Sequence, residues 1–206
     1  MNINYGYLLD KKIDELKHNG SKSKLLLHAC CAPCSSAVVE FLNEYFDITL
    51  YYYNPNISPE SEYDFRANEL KRLISEMKLD NINIIVEKYN NMEFESIAKG
   101  YENLPEGGGR CKRCFELRLE KAIQYASLNG FDYVTTTLTI SPHKNAQLIN
   151  EIGKSISDRY GVEYLFSDFK KKNGYKRSCE LSLEFNLYRQ NYCGCIYSKR
   201  ISEVVK

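Results

Sequence analysis

Short apolar runs alternating with helix-period stretches constrain the fold of this chain more than any other feature. Lys24–Ala29 (KLLLHA), Asp47–Tyr53 (DITLYYY), Asn83–Val86, Asp132–Leu138 and Glu163–Phe166 have the length and the β-branched or aromatic content of strands. Between them lie helical periodicities. Val38, Phe41, Leu42 and Tyr45 recur within Cys34–Phe46, and Phe65, Leu70, Leu73, Ile74 and Met77 within Glu60–Leu79. Further helices are expected from near Cys111 to Gly130, over Asn145–Tyr160 and over Ser178–Arg189. Such alternation predicts an α/β fold, a parallel sheet flanked by helices on both faces. With no repeat, low-complexity tract or Pro/Ser-rich linker in 206 residues, we read a single domain over 1–206. Within it, 1–23 is a helical extension and 24–198 the core. Ligands of parallel sheets bind beyond the carboxyl ends of the strands. The residues after KLLLHA, DYVTTTL and EYLF therefore share a candidate rim.

Twenty-eight basic against 27 acidic residues leave a net charge of +1, which excludes a general polycationic binder. No run approaches the ~20 apolar residues of a membrane span. The opening residues carry no apolar segment or small-residue cleavage site, so we expect a cytoplasmic protein. In that reducing compartment, eight cysteines read as metal ligands or redox thiols before structural disulfides. Seven of the eight are grouped: Cys30, Cys31 and Cys34; Cys111 and Cys114; Cys193 and Cys195. Cys179 stands alone.

Cys111 and Cys114 sit one helical turn apart at a helix start, where unpaired N–H groups and the dipole favour thiolate. With the vicinal pair Cys30–Cys31 they make four ligands, enough for tetrahedral zinc or a cubane iron–sulfur cluster. Spacing does not choose between the metals. A zinc-bound RNA-binding module has the same pattern, and Cys31-Ala32-Pro33-Cys34 also has the form of a thioredoxin-like redox motif. Gly194 permits a sharp bend between Cys193 and Cys195, compatible with a small disulfide loop, joint metal binding or simple burial. Gly107–Gly109 lacks the Gly-Lys-Ser/Thr of a phosphate loop. His28 and His143 read as hydrogen-bonding supports at strand ends. Lys170, Lys171, Lys172, Lys176 and Arg177 form a local basic segment. Tyr51–Tyr53 and Tyr175 offer stacking surfaces of the kind that hold unstacked RNA bases.

Six motifs, taken together, resemble the epoxyqueuosine reductase QueH family: LLLHACCAPCS (Leu25–Ser35), YYYNPNISPESEY (Tyr51–Tyr63), RCKRCFELRL (Arg110–Leu119), TTTLTISPHKN (Thr135–Asn145), SDFKKKNGY (Ser167–Tyr175) and LYRQNYCGCIYS (Leu187–Ser198). The resemblance implies a Rossmann-like α/β fold of the α-hydrolase-like (HUP) type. It also implies two-electron reduction of epoxyqueuosine to queuosine in tRNA, the last step of queuosine synthesis, without cobalamin. It assigns Cys30, Cys31, Cys111 and Cys114 as [4Fe-4S] ligands and Cys193 and Cys195 as a redox-active pair able to form a disulfide. A dithiol is useful there because a cluster passes single electrons whereas disulfide formation passes two. In the alternative, Cys34, Cys193, Cys195 and Asp168 hold a second iron or other metal that acts as a Lewis acid. Asp168, His143 or a tyrosine would donate the proton. The electron donor is left unassigned. An ATP-using thiolase of related fold would need a Ser-Gly-Gly-x-Asp-Ser loop where this chain has His28-Ala29-Cys30-Cys31.

Overall fold

A computed structural model describes residues 3–17, 22–79 and 81–199, so the expected 1–23 extension falls only partly within the described residues. Five strands, β1 (Ser23–His28), β2 (Phe46–Tyr52), β3 (Asn83–Val86), β4 (Tyr133–Thr136) and β5 (Glu163–Tyr164), form one sheet in the order β3-β2-β1-β4-β5. Every pairing in it is parallel. The α/β expectation holds. Chain order reverses at β1, which lies between β2 and β4, so the switch point of the sheet falls where the first cysteines follow β1.

The helices are α1 (Tyr5–Lys17), α2 (Ala32–Leu42), α3 (Glu60–Glu76), α4 (Asn91–Ala98), α5 (Gly109–Leu128), α6 (Ala146–Tyr160) and α7 (Gly174–Glu184). On α1, Tyr5, Leu9, Ile13 and Leu16 make the buried stripe that docks it. One core contains Leu25, Leu27, Ile48 and Leu50 with α1, α2 and α3. The other contains Leu26, Tyr51 and Val134 with α5 and α6. Alternate residues of β1 and β2 thus feed opposite faces, which explains why Leu25–Leu27 and Leu50–Tyr52 are continuously apolar and buried.

Several boundaries differ from expectation; β5 ends at Tyr164 instead of Phe166, and α2 and α3 end at Leu42 and Glu76. The strand expected over Asp132–Leu138 stops at Thr136, and Thr137–Ile140 tighten into a 3-10 turn. The Thr136 side chain begins that turn by accepting from the Leu138 N–H. The last helix starts at Gly174 instead of Ser178. Asn173, at φ 64°, breaks the preceding chain, and a side chain at residue 174 would strike the Phe169 carbonyl. That helix ends before Phe185, since Asn186 takes φ 46°. Helix α4 was not foreseen because its eight residues bury little beyond Phe94 and Ala98.

Helix α6 touches β5 where Gly153 faces the ring of Tyr164, leaving no room for a methyl group. Gly153→Ala is expected to cost about 1–3 kcal/mol by overpacking. A lower denaturant midpoint at unchanged m-value checks it.

Candidate metal and redox site

The site is built outward from His28, the buried last residue of β1. Its Nδ1 lies 2.8 Å from the Thr136 hydroxyl and its Nε2 3.2 Å from the Tyr53 carbonyl. A carbonyl only accepts, so Nε2 donates and Nδ1 accepts from Thr136. Burial, then the nearby Arg118 charge, pushes the His28 pKa down to about 3, which keeps the ring neutral for this role. One imidazole thereby ties together the ends of three strands.

Beyond it, the Cys30 N–H donates to Thr137 Oγ1 at 3.2 Å, and Cys31, in extended conformation, caps α2. Pro33 occupies the first turn of α2, as expected, and Cys34 follows. The Cys30 and Cys31 sulfurs are 3.8 Å apart, and the sulfurs of Cys30, Cys31 and Cys34 all lie within 4.8 Å of one another. Hydrogen bonds from Cys31 and Cys34, helped by the charges of Lys144 and Arg118, hold the Cys30 thiol well below its ordinary range. Donating to Cys30 pushes Cys31 up to about 11 and Cys34 well above the usual thiol value. The triad carries one thiolate stabilised by its neighbours.

Arg118 and Asn54 brace this turn. Asn54 Nδ2 donates to the Ala29 carbonyl at 3.0 Å, and Arg118 donates to Asn54 Oδ1 at 2.5 Å. Both side chains are buried. Arg118 projects from α5, the helix that carries Cys111 and Cys114 in its first turns. Desolvation pushes the Cys114 thiol up to about 11, with Arg118 pulling the other way. Burial raises Cys111 as well, against the N–H of Gly107 that donates to its sulfur at 3.3 Å. The glycine run before α5 thus serves a thiol and not a phosphate.

Cys193 and Cys195 are free thiols with sulfurs 3.6 Å apart, and none of the eight cysteines forms a disulfide. Gly194 between them takes φ +112°, and a Cβ there would sit 2.9 Å from Ile57 and 3.1 Å from Arg66. The hydrogen bond shared by the two sulfurs pushes Cys193 well below the ordinary thiol range and Cys195 above it. Ser198 adds a hydroxyl 3.1 Å from Cys193.

Two adjoining cavities collect these groups. The larger, about 330 Å³, is lined by Cys30, Cys31, Cys34 and Cys193, with Arg66 and Arg189 among its cations. The smaller, about 40 Å³, is lined by Cys111, Cys114, Cys193 and Cys195. Glu106, Arg118, His143, Lys144 and Cys193 belong to both. Lys144 is opposed by desolvation, yet the sulfurs of Cys30, Cys34 and Cys193 raise its pKa and keep it cationic. Clustered soft sulfurs among charge-balancing cations fit a thiolate-held metal group, and Cys30, Cys31 and Cys34 form such a set.

Other sequence candidates lie elsewhere. Asp168 lines a separate cavity of about 210 Å³ and pairs with Lys170 at 2.6 Å, so it does not join Cys34, Cys193 and Cys195. In the basic segment, Lys172 pairs with Asp10 at 2.6 Å, Arg177 with Glu40 at 2.6 Å and Lys176 with Glu180 at 3.9 Å. Cys179 is half-buried on α7 and lines neither cysteine cavity. Sequence reasoning missed Arg118, Lys144, Asn54 and Glu106 as site residues. Arg118 left a readable signal, a charged residue within the apolar stripe of α5.

This arrangement defines a class: α/β proteins of Rossmann-like arrangement with a polythiol, cation-lined centre at the switch point of the sheet. The pattern of the family described as Epoxyqueuosine reductase QueH matches residues 25–201. A protein of that name from Staphylococcus epidermidis is 44% identical over 201 residues, covering 95% of this chain and 84% of its own. Its counterpart in Streptococcus pyogenes is 40% identical over 98% of this chain and 80% of its own. That of Thermotoga maritima is 37% identical over 84% and 89%. The chain belongs to the epoxyqueuosine reductase QueH family, whose members are named as oxidoreductases.

Arg118→Met removes both the brace on Asn54 and a cation near Cys30. In metal-stripped protein the midpoint of Cys30 alkylation against pH is expected to move upward. An unpaired buried Asn54 oxygen should cost about 1–3 kcal/mol of stability. Alkylation mapped by mass spectrometry and a denaturant titration check the two effects.

Proposed function

We propose that this protein reduces the epoxide of epoxyqueuosine in tRNA to the alkene. The observation that carries the reading is the larger cavity. In a chain whose relatives bear that enzyme's name, four cysteines converge on a pocket of about 330 Å³ at the strand-end rim, a volume suited to one small ligand or base. Deoxygenation takes two electrons and two protons and releases water. Cys30, Cys31, Cys111 and Cys114 are the proposed ligands of a [4Fe-4S] cluster, which when bound supplies electrons singly. Cys193 and Cys195 are the proposed two-electron element. Their oxidation to a disulfide releases two electrons and two protons, and an external donor then restores the dithiol. The low-lying thiol of Cys193 supports its role as the reactive member. His143, on the wall shared by both cavities, is the proposed proton donor, because the Asp168 carboxylate is engaged by Lys170 in another cavity.

A second reading is favoured by the position of Cys34, which lies within the Cys30–Cys31 group and lines the same cavity as Cys193. In it, Cys34, Cys193 and Cys195 hold a further metal ion that polarises the epoxide oxygen.

The test is anaerobic: cluster-loaded protein, a strong one-electron reductant and epoxyqueuosine-containing tRNA, followed by nucleoside mass analysis. Appearance of queuosine, lighter by one oxygen, is expected, and its absence with fully loaded protein refutes the activity. Serine at Cys30, Cys31, Cys111 or Cys114 should abolish the visible cluster absorption. Cys193→Ser should retain that absorption and lose multiple turnover. Cys34→Ser separates the two readings, since it lowers iron per chain without bleaching the cluster only if a second metal is present.

The tRNA backbone is expected to meet the segment from Lys170 to Arg177, because Tyr175 and Ser178 line the larger cavity. Exposed ion pairs such as Lys172–Asp10 contribute at most about 1 kcal/mol and exchange readily for phosphate. Charge reversal at Lys171 and Lys172 should weaken tRNA binding and flatten the plot of log K against log salt by about 2 units.

A further inference from the structure

Glu106 stands on the wall shared by the two cavities. It lies on the segment entering α5, directly before Gly107, whose φ of +84° turns the chain so that its N–H reaches Cys111. The side chain is exposed to the cavities and makes no hydrogen bond or ion pair among the described residues. Arg66, Arg110, Arg118, Lys144 and Arg189 line one cavity or the other, and Glu106 is the single carboxylate lining either one among the described residues. Lys144, His143 and Arg110 act on it only through their charge, so its oxygens remain free to accept a hydrogen bond from a ligand, and it repels an anionic group arriving beside it. Its chemistry matches a cation brought by the ligand.

We infer that Glu106 is a specificity-determining residue that accepts a hydrogen bond from a protonated amine on the substrate base. The inference rests on the function proposed above. Epoxyqueuosine carries a secondary amine between its deazaguanine ring and the epoxide-bearing ring, and such an amine is protonated at neutral pH. Glu106 shares a wall with Cys193, so holding that ammonium sets the adjoining epoxide ring toward the sulfurs. Glu106 adds the one carboxylate to a wall that also carries Arg110, Arg118 and Lys144, and so gives an incoming ammonium an oxygen acceptor there. A charge-assisted bond of this kind discriminates by about 10- to 100-fold.

The experiment measures binding without turnover, using anaerobic holoprotein. The probes are one tRNA bearing 7-aminomethyl-7-deazaguanine at the target position and the same tRNA bearing guanine. Wild type should prefer the amine-bearing tRNA by about tenfold or more. Glu106→Gln should bring that ratio close to one while leaving guanine-tRNA affinity and cluster absorption unchanged. Glu106→Asp should keep part of the preference. No preference in wild type, a preference that survives Glu106→Gln, or equal weakening of both tRNAs overturns the inference. Failure of wild type to convert epoxyqueuosine-tRNA strikes the proposed activity instead, and the amine preference is read independently of it.

Discussion

The turn after β1 depends on one hydrogen-bonded chain: Arg118 to Asn54, and Asn54 to the carbonyl of Ala29. This chain fixes α5 and the segment after β2 against the end of β1. It anchors α5, and with it Cys111 and Cys114, to the backbone that presents Cys30 and Cys31. Because both side chains are buried, neither can be released to water without leaving polar groups unpaired. The guanidinium also supplies positive charge to sulfurs on both sides. Positioning and charge balance come from the same group, so they cannot be tuned separately.

Much of the fold was legible because its signals are local. KLLLHA and DITLYYY are apolar at their centres since each strand is covered there on both faces, and Pro33 marks the start of α2 by chemistry that needs no tertiary context. The errors fall where tertiary contacts decide. Helix α7 begins early because the Phe169 carbonyl crowds residue 174, a contact invisible in the residues themselves. The end of β4 is set by a Thr136 hydroxyl turned to cap a 3-10 turn while also serving His28.

The site shows the same division. Cysteine grouping announced a polythiol centre, and the pairs were readable from spacing. Cys34 was grouped with Cys30 and Cys31 by spacing, but its role was not readable, because C-x-P-C equally describes a redox motif. The isolation of Asp168 was not either: only the folded chain shows its carboxylate turned to Lys170. Lys144 and Glu106 lie on irregular segments beside motifs, where no periodicity indicates which way a side chain points.

The distribution of charge differs between the surface and the recess. Outside, Lys172, Arg177 and Lys176 each face a carboxylate, whereas in the recess Arg118 and Lys144 stand beside sulfurs. Low-dielectric walls focus the field of those inner cations toward the mouth. A ligand group that reaches into the recess therefore meets a stronger field than one held at the surface. Reach into the recess, more than charge alone, then decides which part of a ligand feels that field.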